Sequence, residues 1–431
     1  MLNAQCEKIE EVQLGASHEF YEAKSLCEIF REFGASLISE PISDFSRLHE
    51  SSAHFCEVRP TSTEALSQIV RVAANHGIPI RTRGNGHTLN GSSLPQSHEL
   101  MVRTLSLSHI SDPSEGSVSV GAGCVIRDLQ AWLRTRGYAL PVLNAGRAGP
   151  TVGGYAAAGG FGPGSANAGG FWDNVSELTA VDGEGRVRVI ARTDPLFPWL
   201  FGAMGQLGII TAAKLDIASE SNSNSDSGAD SVTHRRKYRA PQYESAFVQE
   251  PPAMLASSRD EAGKLFWFSL FVPASSVSEA SMLLDDLERR HPNLFQLRDR
   301  YTYLIRHRNV VAPLIWPSPT SCYAVGTWGL LNDASPSRID DVLAFDAEFM
   351  SIAIAKRYRR YVQSEAPSGP GFYRQYFGKT IYANFQARKA EVDPRQLLNR
   401  GWVFSYPHTY PHTYPPDRAE NSIGAKNAEN G

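Results

Sequence analysis

Three observations predict an α+β chain of more than one domain. Residues 54–83 read as strand, helix and strand. Glycine clusters between residues 84 and 211 break up the elements that follow. A polar, low-complexity stretch at 218–230 then separates this region from a second one with its own strand and helices. Of the 431 residues, 42% are hydrophobic and 20% charged, which supplies large cores and excludes wholesale disorder.

From Phe20 to Phe33 apolar residues recur at helical spacing, and Gly34 stops the helix. Residues 54–58 are strand-like until Arg59-Pro60 breaks them. Thr61 and Glu64 form a capping box ahead of the apolar stripe Leu66, Ile69, Val70 and Ala73. Gly77 serves as the C-cap, Pro79 follows, and Ile80–Arg83 returns as a strand. Ser117–Val120 alternates as a strand. Val125–Arg136 carries Val125, Leu129, Trp132 and Leu133 on one helical face and ends at Gly137. Residues 144–174 hold too much glycine for one regular element. Val175–Val181 and Arg186–Ile190 form a hairpin around residues 182–185, and residues 198–217 read as a glycine-broken helix end leading into a strand. Past the polar stretch, Phe266–Val272 is a buried strand, Ser276–Arg290 and Asp341–Arg360 are helices, and Asp393-Pro394 opens a short helix. The tail from Tyr406 repeats Tyr-Pro-His-Thr and is expected to be disordered.

Charge and cysteine usage exclude several functions. Lys plus Arg is 42 against 45 for Asp plus Glu, a net charge of -3, which does not suit a dedicated nucleic-acid binder. The five cysteines are scattered with no CxxC, so neither a disulfide framework nor a zinc ribbon is encoded. With no apolar run of 18 residues and no apolar leader in the first residues, a soluble cytoplasmic protein without a membrane partner is expected.

The glycine motifs were tested against the chemistry each could serve. Gly84-x-Gly86 follows a strand, but Leu89 stands where a dinucleotide fingerprint needs a small residue, and no helix begins there. Gly378-Lys379-Thr380 lacks the first glycine of a P-loop, since Tyr373 occupies its place. Ser165 is flanked by Pro163 and Asn167, which excludes a nucleophile elbow. The spacing of His408 and His412 would suit a metal on a helix, but prolines 407, 411 and 415 prevent that helix, and no metal is expected. A bipartite glycine-rich anion site is left. Tight glycine turns at 84–91 and 149–170 can cradle a diphosphate in backbone N–H nests, with segments 171–181 and 205–211 offering flat apolar contacts to an aromatic ring system.

The run RTRGNGHTLNGSS, followed in order by TVGG, DNVSELTAVDGEGRV and LFGAMGQLGIITAAKLDI, resembles the FAD-binding domain of the vanillyl-alcohol oxidase and p-cresol methylhydroxylase superfamily over about residues 50–217. Within it the cytokinin dehydrogenases are most similar, through KLFWFSLFVP and the segments Phe377-Gly378, 385–389, Asp393-Pro394 and 401–404. The resemblance implies a two-subdomain FAD-binding domain of the p-cresol methylhydroxylase type plus a shortened α+β substrate (cap) domain. The expected boundaries are a helical lead-in at 1–49, the FAD-binding domain at 50–217, a flexible linker at 218–236, the cap at 237–370, a C-terminal return at 371–405 and a tail at 406–431. It implies FAD joined covalently to His87, with Arg83, Gly84, Asn85, Gly86, Thr88, Ser92, Thr151, Gly153, Gly154, Ser165, Ile209 and Ile210 around the cofactor. A second linkage would need a cysteine where Gly149 stands, so one linkage at most is expected.

Two features depart from the family. Cytokinin dehydrogenases carry an aspartate some residues before TVGG that accepts the substrate amine's proton, whereas residues 144–150 contain no acid and Gly146 falls near that place. Asp173 is the nearest acid and the remaining candidate base, although its neighbours read as a turn. The cap domain is also shorter than in the family. Trp267, Ser269, Trp316, Tyr323, Trp328 and Tyr376 are the candidate substrate contacts, and Arg59 and Arg81 flank the flavin unit, where an arginine could stabilise a reduced flavin. The implied function is hydride transfer from a small amine or alcohol to FAD, with N6-substituted adenines as the cytokinin-like substrate. Electrons would pass to oxygen or a quinone-like acceptor. The alternatives are a flavin oxidase of another metabolite and a catalytically silent flavin-fold binding protein.

Overall fold

The computed structural model describes residues 17–144, 149–219, 263–292, 294, 297–331, 335–362 and 370–401. A helix over 17–29 and a 3-10 turn at Arg31–Phe33 end at left-handed Gly34, as the glycine predicts. The first sheet has the order β1-β2-β4-β3, with β1 Ser36–Ile38, β2 Phe55–Val58, β3 Ile80–Arg83 and β4 Leu100–Arg103. β2, β4 and β3 run parallel because the helix Thr63–His76 returns the chain between β2 and β3. That helix buries Leu66, Ile69, Val70 and Ala73 on one face, the period the sequence shows. Its N-cap is Ser62 rather than Thr61: Ser62 is extended and its Oγ accepts from the Ala65 N–H at 3.1 Å.

The second sheet is antiparallel, in the order β5-β9-β7-β8: β5 Ser117–Gly121, β7 Val175–Val181, β8 Val187–Ala191 and β9 Ile209–Asp216. Helix Ile126–Arg134 follows β5. β6 Tyr138–Ala139 pairs with β10 Ala218–Ser219, so the first two residues assigned to the linker form a strand; residues 220–236 lie outside the described residues. The glycine-rich stretch contributes two short helices, Val152–Ala158 and Ser165–Ala168. In place of the expected helix end, the segment before β9 has a 3-10 turn, Phe197–Trp199.

The third sheet, β12-β13-β11-β14, uses β11 Lys264–Pro273, β12 Leu297–Ile305, β13 Cys322–Leu331 and β14 Arg359–Arg360. Strand alternation divides β11 between two environments. Phe268 packs on Phe345 and Phe349 of the helix Pro336–Lys356, while Trp267 and Phe271 meet Phe161 from the glycine-rich stretch. The helix expected at 341–360 therefore starts earlier and ends at Lys356, leaving 359–360 to pair with β11.

Helix Lys379–Val392 brings the chain back to the first sheet. Asp393 ends this helix instead of opening another, and its carboxylate accepts from the Leu397 and Leu398 N–H groups at 3.0 and 2.8 Å. Leu397 and Asn399 then bond the backbone of Ile80, adding a short parallel bridge beside β3. Lys389 secures the return: its Nζ donates to Asp393 Oδ2 at 2.6 Å, Gln206 O at 2.7 Å and Leu398 O at 2.9 Å. Burial lowers the Lys389 pKa, against the pull of Asp393. Since removing one partner leaves a buried charge uncompensated, Lys389→Met is expected to destabilise the protein by ~3–5 kcal/mol in urea denaturation.

Candidate functional site

The turn after β3 and the turn before helix Val152–Ala158 face each other across a cleft. Their approach depends on missing side chains. A Cβ on Gly84 would lie 2.5 Å from Thr151 Oγ1, and Gly86 has φ +71°, a conformation that favours glycine. Asn85 Nδ2 bridges the turns by donating to Gly149 O at 3.0 Å. Thr151 caps its helix by accepting the Gly154 N–H at 3.1 Å. The backbone N–H groups of Gly84, Gly86 and Thr88 donate to no protein acceptor among the described residues, which suits an anion nest. Ile209 and Ile210 supply an apolar wall, and Asn399 closes the cleft against Thr82, whose N–H donates to Asn399 Oδ1 at 2.7 Å. An open glycine turn, amide donors without a protein acceptor among the described residues, and apolar walls in one cleft fit a dinucleotide with a flat ring system.

His87 lies where this cleft meets a second one; both are lined by His87 and Pro150. Its ring stacks on Phe45, centroids 4.4 Å apart and planes 15° from parallel. Burial lowers the imidazole pKa to about 4, so the ring is neutral at physiological pH.

The second cleft is an aromatic box formed by Tyr155, Phe161, Trp267, Tyr301, Tyr303, Trp328 and Tyr361, with Asn144 also in its lining. Three strands build it. Trp267 of β11 stacks on Trp328 of β13 at 4.3 Å and 8°, and Trp267 Nε1 donates to Tyr301 Oη of β12 at 2.6 Å. Gly326, paired with both Ser269 and Tyr301, leaves room for the Tyr301 ring. No carboxylate, arginine or lysine lines this box among the described residues.

The structure brings together most of the cofactor residues read from the sequence. Gly84, Asn85, Gly86, His87, Thr88, Ser92, Thr151, Gly153, Gly154, Ile209 and Ile210 all line the first cleft. Arg83 lies beneath the turn, where its guanidinium donates to Ser93 Oγ and Ser43 O. Ser165 is buried away from the cleft and accepts from the Gly162 N–H. Segment 205–211 reaches the cleft, whereas Phe171 and Trp172 pack in the core.

Of the substrate candidates, Trp267 and Trp328 line the aromatic box. Trp316 lies at a separate small cavity, Ser269 is buried in β11, Tyr323 is half-buried on β13, and Tyr376 bonds the Arg360 carbonyl. Asp173 is also at the separate cavity: its carboxylate accepts from the N–H groups of Asn309, Val310 and Gly170, and burial raises its pKa against those bonds. The structure thus gives Asp173 a loop-anchoring position outside both clefts. Arg81 is buried against Glu99 and Arg59 pairs with Glu57, and neither lines a cleft. Gly146 lies outside the described residues. Sequence reading missed Tyr155, Phe161, Tyr301, Tyr303 and Tyr361. The alternation of Tyr301 and Tyr303 was a usable signal, since it puts both rings on one sheet face.

Residues 56–191 match the family model of the FAD binding domain. The chain is 29% identical over 160 residues to cytokinin dehydrogenase 2 of Arabidopsis thaliana, covering 36% of this chain and 32% of that protein. It is 27% identical over 191 residues to D-lactate dehydrogenase of Archaeoglobus fulgidus, covering 41% and 43%. It is 26% identical over 167 residues to the mitochondrial D-2-hydroxyglutarate dehydrogenase of Danio rerio, covering 37% and 31%. The matches thus span well under half of each relative's length. No helix among the described residues is long and apolar enough to cross a membrane.

Two outcomes are expected. Gly84→Ala pushes a methyl group into Thr151 and should weaken FAD uptake at least about tenfold in equilibrium dialysis. In flavin-free protein, a His87 pKa lowered to about 4 contributes stability above the ordinary value of 6.5 that is lost as pH falls towards 4. The wild type should therefore lose about 3 kcal/mol relative to His87→Ala across that window, measured by urea denaturation.

Proposed function

We propose that this chain, which carries an FAD-binding domain of the vanillyl-alcohol oxidase and p-cresol methylhydroxylase superfamily with cytokinin dehydrogenases among its relatives, is an FAD-dependent oxidoreductase of a small aromatic amine or alcohol. The observation that carries this reading is the junction at His87 and Pro150, where a cleft suited to a dinucleotide opens into an aromatic box.

Bound flavin supplies a hydride acceptor. The chain's own residues do the rest. The turn at Gly84–Thr88 and the cap at Thr151 hold the diphosphate, and Ile209 and Ile210 hold the flat ring. His87, kept neutral by burial, has the free electron pair that attachment to the flavin's 8α carbon requires. Trp267 and Trp328 offer a flat wall that orients a planar substrate and excludes water. N6-substituted adenines are the cytokinin-like choice, with oxygen or a quinone-like electron acceptor.

Two of the relatives are named for D-lactate and D-2-hydroxyglutarate. Those substrates are carboxylates, and the described lining of the aromatic box has no arginine or lysine to pair with one. The absence of a carboxylate base from the same lining favours a second reading, a flavin-fold protein that binds without turnover.

Acid precipitation of the purified protein tests the linkage. Flavin colour should stay with the pellet in the wild type and move to the supernatant, or be absent, in His87→Ala. Anaerobic addition of N6-substituted adenines and aromatic amines should then bleach the flavin. Retained colour without bleaching by any of them would support the silent reading, and a protein that takes up no FAD would sink both.

A further inference from the structure

Tyr155 belongs to neither the glycine turns nor the cap sheet, yet it stands between them. It lies in the first turn of helix Val152–Ala158, where its N–H donates to the Thr151 carbonyl at 2.8 Å. The turn that shapes the glycine-lined cleft therefore also places this ring in the wall of the aromatic box. The ring packs on Phe171, centroids 4.8 Å apart, and lies over Gly160, where a side chain would collide with it. The residue is 4% exposed, and its hydroxyl is buried with no hydrogen-bond partner among the described residues. Tyr301, in the same box, differs in that its hydroxyl accepts from Trp267 Nε1.

Folded proteins rarely leave a buried hydroxyl without a partner, and each exception calls for an explanation. Burial and the neighbouring Tyr361 and Tyr303 raise the Tyr155 pKa well above 10, so this group keeps its proton and can donate it. A partner that carries an acceptor would take up that proton. The box around it is flat, aromatic and free of arginine and lysine among the described residues, which suits an uncharged ring.

We propose that Tyr155 is the hydrogen-bond donor that orients the substrate: its hydroxyl binds an uncharged acceptor, a ring nitrogen at the edge of a flat aromatic molecule held in the box beside His87. As an assignment of substrate orientation, this rests on the flavin reading above. It makes Tyr155 a specificity-determining residue, because a site with a committed donor rejects an analogue of the same shape that lacks the acceptor.

Quinoline and naphthalene form the test pair, sharing a shape but differing by one ring nitrogen. Calorimetric titration uses the full chain loaded with FAD, as wild type and as Tyr155→Phe. The variant should weaken quinoline about tenfold, the loss of one hydrogen bond, and change naphthalene less than about twofold. Without ligand, Tyr155→Phe should melt at the wild-type temperature or higher, because the hydroxyl it removes bonds nothing described. Equal effects on both probes, no effect on either, or no binding of either by the wild type would each overturn the assignment. So would a lowered melting temperature or a variant that fails to fold, since either shows the hydroxyl to be a structural group. FAD uptake is scored separately. A chain that takes up no FAD yet separates the probes through Tyr155 sinks the flavin reading alone, and one that holds FAD without separating them sinks this proposal alone.

Discussion

The site depends on two turns that meet where Gly84, bare of any side chain, packs against the side chain of Thr151. Gly84 approaches Thr151 closely enough that one methyl group would part them, and Asn85 holds the contact by reaching to the Gly149 carbonyl. From this contact the other positions follow. The chain leaves the first turn with His87 at the mouth of the cleft and enters the second with Pro150 opposite, so both clefts open at the same place. Helix Val152–Ala158 starts at that contact and carries Tyr155 into the aromatic box. Helix Val152–Ala158 thus joins the glycine-lined cleft to the aromatic box, whose other rings come from the third sheet and from Phe161 and Tyr361.

Local signals were legible in the sequence and remote ones were not. The strand-helix-strand unit at 55–83 could be read because the stripe at Leu66, Ile69, Val70 and Ala73 and the left-handed cap at Gly77 act within a few residues. The glycine cleft could be read for the same reason, since each turn declares itself. Asp393-Pro394 misled because the motif of a helix start was used at a helix end, where Lys389, one turn back, recruits the carboxylate. The aromatic box was largely hidden: Phe161, Trp267, Tyr301, Trp328 and Tyr361 come from five separate places, with strand register joining Trp267, Tyr301 and Trp328 and tertiary packing adding the other two. Four of the six substrate contacts expected on these segments lie elsewhere, Trp316 at another cavity and Ser269, Tyr323 and Tyr376 in or against the core.

The aromatic box combines apolar walls with a sparing use of polar groups. Trp267 donates its indole N–H to the Tyr301 hydroxyl, which fixes that part of the wall. The Tyr155 hydroxyl makes no such bond among the described residues. A buried hydroxyl without a partner costs on the order of 1–3 kcal/mol, so a fold that keeps one carries a standing instability at the place where a ligand would relieve it. Such a site gains discrimination from its own incomplete bonding, not from extra contacts.

The cofactor cleft is closed by residues far apart along the chain. Thr82 lies on the first sheet, whereas Asn399, which completes the same wall, arrives after the third sheet and the helix Lys379–Val392. Asn399 also donates to the Met204 carbonyl, and Lys389 ties that return to the Gln206 carbonyl. During synthesis the glycine turns can therefore form early while their cleft stays open, until nearly 320 residues later the returning segment docks. The wall at Asn399 is complete only once the returning segment has bonded both Thr82 and Met204.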